Sequence, residues 1–191
     1  MKSILKVIQL HKDEASLIKG AIKNNRDSQR ILFDLYAPKM LSVCRYYIKD
    51  IQFAEEVMLN GFFKVFSNLK NFKAEGSFEG WIRRIMVRES ISYLRQKKSI
   101  EFALDVIDYK NDFTNNIQTE IELAEIQQLI DDLPEGYKIV FVMYAIEGYK
   151  HHEIAEILNI SESTSKSQLF KAKKQLQEKI INRNKPGYGI K

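Results

Sequence analysis

At 191 residues the chain is long for one small helical domain and comfortable for two, and its 45% hydrophobic and 29% charged residues argue against global disorder. Only 8 glycines and 3 prolines disfavour an all-β fold built from many tight turns. The net charge is +5, and the single Cys44 excludes an internal disulfide or a cysteine-based zinc site, which fits a reducing cytoplasm.

The first ten residues are apolar but short, and Lys6 interrupts them. Neither a signal peptide nor a membrane-spanning segment is expected. Residues 13–24 predict a short amphipathic helix with Asp13 as its cap. A second helix, capped by Asp27 or Ser28, should run to about Ile48 with Ile31, Leu32, Leu35, Tyr36, Met40, Val43, Cys44 and Tyr47 inward. Pro38 lies inside that run and predicts a kink or break near Ala37.

The third segment is clearer. Ala54, Val57, Met58, Gly61, Phe62, Val65, Phe66 and Leu69 recur at three and four, one continuous stripe over 51–69. The pattern breaks at 71–77, with Gly76 as the turn residue. Ser77 can cap a fourth helix that holds Trp81, Ile82, Ile85, Met86, Glu89 and Tyr93 and ends near Lys98. From Thr119 the helical period returns, with Ile126, Leu129, Ile130 and Leu133 inward. Pro134 reads as the first position of a further helix, and Gly148 as the residue that ends it. The expected fold is all-α, with two helical domains (1–98 and 119–182), a flexible acidic linker (99–118) and a disordered tail (183–191).

Charge follows the same division. The net charge is +5 over 70–98, −9 over 99–135 and +4 over 148–185. Any one block alone reads as a solvated face. Two basic blocks on separate folded units, with an acidic tether between, suggest two contacts with a polyanion.

The strongest local signal lies in 150–181, a helix-turn-helix. Ala155 supplies the small side chain two steeply crossing helices need, Asn159 tolerates the positive φ of the turn, Ile160 plugs the angle and Ser161 caps the second helix. That helix opens with small polar residues suited to base edges, while Lys171, Lys173 and Lys174 are suited to phosphates. Alone, this says "regulator" and no more. His151-His152-Glu153 is not a zinc-peptidase motif, because the required second histidine is Glu156. No nucleophile–base pair or glycine-rich phosphate loop is legible, so neither enzyme activity, a cofactor nor a metal is expected.

Four stretches together resemble the extracytoplasmic-function sigma factors, the smallest members of the sigma-70 family. They are Ala54-Glu55-Glu56-Val57-Met58 leading to Gly61-Phe62-Phe63-Lys64-Val65-Phe66, then Gly76-Ser77-Phe78-Glu79-Gly80-Trp81-Ile82-Arg83-Arg84-Ile85. Next comes Leu133-Pro134-Glu135-Gly136-Tyr137 running to Tyr144, and finally Gly148-Tyr149 through Glu153-Ile154-Ala155 to Leu169. The resemblance spans about 15–98 and 120–182. It implies a non-catalytic cytoplasmic factor that binds core RNA polymerase and directs initiation at promoter DNA.

By the same resemblance, Glu56, Leu59, Asn60 and Phe63 dock on a coiled coil of the largest subunit. Phe72, Lys73, Phe78, Trp81, Arg83, Arg84, Arg88, Tyr93 and Arg95 capture the melted non-template strand of the −10 element. Ser163, Thr164, Lys166, Ser167, Gln168, Lys171 and Lys173 read the −35 duplex beside the flap of the second-largest subunit. The acidic linker threads the polymerase channel later used by RNA. An anti-sigma factor is a common partner in the family, although no residue pattern here encodes one. Leu59, Asn60, Arg88, Asn159 and Ser165 depart from common family usage; relatives usually carry a β-branched apolar residue at Ser165.

Overall fold

The structure, a computed structural model, describes residues 14–103 and 121–183, and within these the fold is all-α. The chain divides into two compact units, Met1–Ile100 and Glu101–Lys191. The expected cap Asp13, most of the expected linker (104–118) and most of the expected tail (184–191) lie outside the described residues.

The first unit holds a short helix over 14–22 (α1), then α2 (Arg26–Tyr47), α3 (Ile51–Ser67) and α4 (Phe78–Ala103). α2 begins at Asn25, whose side chain accepts from the Ser28 N–H at 2.8 Å. The cap is therefore Asn25 rather than Asp27 or Ser28, and Asp27 occupies the first turn, where a carboxylate suits the positive end of the helix dipole. Pro38 does not break α2. Its missing N–H orphans only the Asp34 carbonyl, and both residues are on the exposed side, where water can replace the lost donor. Asp50 caps α3 by accepting from the Gln52 and Phe53 N–H groups.

Leu32, Tyr36, Met40, Val43, Cys44 and Tyr47 of α2 meet Ala54, Val57, Met58, Phe62 and Val65 of α3 and Phe78, Ile82, Met86, Val87 and Ile91 of α4 in one core. Ile31 and Leu35, expected inward, are exposed. Each precedes a core residue (Leu32, Tyr36) by one position, which turns it about 100° onto the helix flank. Gly61 lets α3 approach α4: a Cβ there would stand 2.3 Å from Met86 Sδ. In the connection to α4, a 3-10 turn (Leu69–Asn71) is followed by Ala74 at φ 56, so the left-handed residue of this turn is Ala74 and not Gly76, the residue expected to make it. Ser77 caps α4 by accepting from the Gly80 N–H at 3.1 Å. α4 then runs to Ala103, past the expected end at Lys98, because no Gly or Pro interrupts the chain between Gly80 and Pro134.

The second unit holds α5 (Ile121–Asp131), α6 (Glu135–Phe141), α7 (His151–Leu158) and α8 (Glu162–Arg183). Pro134 is the cap of α6 rather than its first helical residue. α6 does not continue as an α-helix. Val142–Ile146 forms a π-helical turn in which the Glu147 N–H donates to Val142 O, five residues back, and Gly148 at φ 77 ends it. Leu129, Ile130, Leu133, Ile139, Val140, Val142, Met143, Ile154, Leu169 and Ala172 make the core. Ile126, expected inward, is exposed, and so is Ile180. α8 has 22 residues, about 33 Å at 1.5 Å per residue, and near its far end Lys179 still pairs with Asp132, just after α5, at 3.1 Å.

Candidate functional site

Three exposed surfaces hold most, but not all, of the residues singled out from the sequence. On α3, the core side is lined by Ala54, Val57, Met58, Gly61, Phe62 and Val65. The spacing of three and four then forces Glu56, Leu59, Asn60 and Phe63 onto the opposite side, and all four are exposed. Leu59 is 52% exposed and Phe63 74%, an apolar step on a polar face.

On α4, the nine residues assigned to one strand-capturing surface separate into two groups. Trp81, Arg84, Arg88 and Arg95 recur at three, four and seven and share one stripe; the three arginines are exposed and Trp81 is half-buried. Exposed Lys73 lies in the turn before α4. Phe78, by contrast, is buried, stacked on Trp81 at 5.9 Å and 19° and edge-on to Tyr36 and Phe72. Phe72 is half-buried and also reaches Trp81, at 5.5 Å. Phe78 thus has no face to offer a base, and with Phe72 it holds the indole from behind. Tyr93 is half-buried against Phe53 of α3 at 5.9 Å, and Arg83 is half-buried on another side of α4. Sequence reasoning placed these together because each is aromatic or basic; the helical period separates them.

In the second unit the turn between α7 and α8 is built locally. Asn159 adopts φ 55, ψ 50, its N–H and that of Ile160 bond back to Glu156 O and Ala155 O, and Ser161 Oγ accepts from the Thr164 N–H at 3.0 Å. Glu153 accepts from the Lys150 N–H at 2.7 Å and so caps α7 from within. Ser163, Lys166, Ser167, Lys171 and Lys173 are exposed along α8, and Thr164 is half-buried beneath its cap. Gln168 turns the other way: its side-chain amide lies against Gly136 at the start of α6, where a Cβ would be 3.4 Å from Nε2. Glu162 lies 3.7 Å from Lys166, an exposed pair that a closer anion can displace.

Sequence reasoning missed several residues here. Phe170 is 69% exposed between Lys166 and Ser167 on one side and Lys173 and Lys174 on the other. The signal was present, since Phe170 falls off the Leu169–Ala172–Leu176 stripe. Lys171 lies 5.8 Å over the Tyr137 ring and Lys173 5.8 Å over the Tyr144 ring. Tyr144 stacks on His151 at 4.6 Å, and His151 Nδ1 lies 2.9 Å from the Oγ of fully buried Ser165. No local pattern could have announced that pair, which joins residues fourteen apart across the turn. Among the described residues, no group of three or more His, Cys, Asp or Glu is placed to hold a metal, and no helix is long and apolar enough to cross a membrane.

Comparison with known proteins gives matches in both units. A family model described as Sigma-70 region 2 matches residues 32–100, and one described as Sigma-70, region 4 matches 123–176. The sigma factor SigW of Bacillus subtilis, of the extracytoplasmic-function (ECF) class, is 27% identical over 177 residues, covering 85% of this chain and 94% of that relative. An ECF sigma-E factor of Haemophilus influenzae is 24% identical, covering 87% and 95%. In fold, the chain is similar to the sigma factor RpoE of Bartonella quintana, solved with the anti-sigma factor NepR (TM-score 0.60, 16% identity, covering 80% of this chain and 96% of that one). It is also similar to CnrH, solved with the cytosolic domain of CnrY (TM-score 0.52, 18% identity, covering 88% and 96%).

Proposed function

Because the chain belongs to the sigma-70 family, in its extracytoplasmic-function form, we propose a division of labour among its three surfaces within a factor that directs promoter-specific initiation by RNA polymerase. The outward stripe of α3 (Glu56, Leu59, Asn60, Phe63) docks on the coiled coil of the largest polymerase subunit. The α4 stripe captures the melted −10 strand: Trp81 offers the stacking face, Phe72 and Phe78 brace it, and Lys73, Arg84, Arg88 and Arg95 track phosphates. Stacking one unpaired base contributes ~1–3 kcal/mol, enough to help keep it out of the duplex. Tyr93 and Arg83 support the helix from its packed sides, as Gln168 supports α8.

The opening of α8 enters the major groove at the −35 element, with Ser163, Thr164, Lys166 and Ser167 at its leading end and Lys171 and Lys173 on phosphates. Phe170 adds an apolar edge of the kind that meets a thymine methyl. The linker over 99–118 carries four carboxylates against one lysine and suits a basic polymerase channel, since it imitates the polyanion that replaces it. The remaining acidic residues of the 99–135 block begin at Glu120 and run into α5 and α6. The factor itself performs no catalysis and works in the cytoplasm.

The observation that carries this reading is the presence, in one chain and each inside a matched sigma-70 region, of a tryptophan–arginine stripe and a capped helix-turn-helix. Mixing the purified protein with sigma-free core polymerase should give initiation at defined sites on genomic templates. Absence of both core binding and site-dependent initiation would sink the proposal. A stand-alone regulator would instead bind a palindromic duplex tightly without polymerase. We further infer an anti-sigma partner, supported by fold similarity to a sigma factor solved with one. Native purification should yield a stoichiometric protein that blocks core binding; recovery of only core-bound or bare protein would refute it.

A further inference from the structure

We infer that Tyr137 and Tyr144 are positioning residues for duplex binding, each holding one lysine of α8 in place for a backbone phosphate. The inference rests on the −35 reading of α8. Ala172 is fully buried against the rest of the unit, and Lys171 and Lys173 flank it in sequence. At about 100° per residue, the two lysines leave α8 on opposite sides of its buried edge. Left to itself, each would sample many rotamers, and ordering so long a chain opposes binding. Each instead lies over a ring: Lys171 Nζ is 5.8 Å from the Tyr137 centroid, and Lys173 Nζ is 5.8 Å from that of Tyr144.

The negative face of an aromatic ring attracts an ammonium group, and that contact occupies only one side of it. Three N–H donors surround the nitrogen, so those directed away from the ring stay available to a phosphate. Both rings come from the segment that packs along α8, and the second is anchored. Tyr144 stacks on His151 at 4.6 Å and 23°, and His151 Nδ1 sits 2.9 Å from the Oγ of buried Ser165. The post under Lys173 is thereby tied to both helices of the helix-turn-helix. Its direction is set by the same contacts that set the angle of α8.

The test uses holoenzyme reconstituted with the full chain. The probe is duplex DNA carrying the upstream half of a promoter at which that holoenzyme initiates, titrated over a series of salt concentrations. Tyr144→Leu should weaken binding about two- to fivefold, the range expected for an exposed cation–π contact. It should also flatten the dependence on salt, because Lys173 no longer meets its phosphate reliably. Tyr144→Phe keeps the ring and should restore both. In a Lys173→Ala background, Tyr144→Leu should do nothing further, and Tyr137→Leu should behave the same way toward Lys171→Ala.

Equal effects of Tyr144→Leu with and without Lys173 would overturn the inference while leaving the −35 reading intact, and so would Leu and Phe variants that behave alike. If Lys173→Ala and Lys171→Ala leave both affinity and salt slope unchanged, the phosphate reading of α8 fails, and the inference with it. Because the Phe variant and the double-mutant comparison decide the outcome, a folding defect in Tyr144→Leu does not protect the idea.

Discussion

Phe170 and Lys171 are neighbours on α8, both on its exposed side, and they should fail in different ways. Lys171→Ala removes one phosphate contact, so duplex affinity falls and the slope of log affinity against log salt shrinks by about 1. Phe170→Ala removes apolar contact with a base edge, so affinity falls by about 1 kcal/mol with the slope unchanged. The same titration checks both, and a slope change in the phenylalanine variant would remove it from the base-reading edge. The lysine was legible in the sequence because a basic residue on a recognition helix has few other uses. The phenylalanine is one of 11 in the chain. Only its 69% exposure, beside four polar or basic neighbours, distinguishes it from a core residue. Phe78 shows the converse error, an aromatic of suitable type whose faces are already taken by Trp81, Tyr36 and Phe72.

The turn between α7 and α8 was legible because its requirements are local. Asn159 at φ 55 and Ser161 capping Thr164 follow from the residue types alone. Asn159→Gly should therefore leave the thermal midpoint of the second unit nearly unchanged or raise it, whereas Asn159→Ala should cost about 1 kcal/mol. Calorimetry of the full chain checks this, and equal midpoints for the two variants would refute the left-handed assignment. Gly61 marks another such point, where α3 crosses α4. Gly61→Leu should destabilise the first unit by about 1–3 kcal/mol, since Met86 Sδ already occupies the space and is itself fully buried. What stayed illegible was decided by tertiary packing. The π-helical turn at Val142–Ile146 exchanges four-back for five-back hydrogen bonds, a choice no local propensity encodes. Ala74 likewise accepts a conformation that Gly76 would adopt more cheaply, to suit the turn into α4.

Across the molecule, the order of charge (+5, −9, +4) was readable at once, and the structure divides its middle block, with Glu122, Glu125, Asp131 and Glu135 on α5 and α6 rather than in a tether. The structure adds a titration to the first unit. Burial, the hydrogen bond donated to Glu14 at 2.7 Å and the carboxylates of Glu14 and Glu79 all push the Tyr36 phenol above its usual 10.0. A folded pKa above the unfolded value means that the neutral form is favoured by folding. Its contribution is complete below 10.0 and is lost as pH rises beyond that. Urea unfolding should show the stability difference between wild type and Tyr36→Phe changing between about pH 9 and about pH 11, with wild type losing more. A constant difference would refute the linkage. The N-terminal core also contains its own reporter. Cys44, the single cysteine of the chain, is 0% exposed within the helices of the first unit. A thiol reagent can reach it only when those helices part. The rate of labelling in the untouched protein is therefore a clock for their opening, and polymerase docked on α3 should slow it.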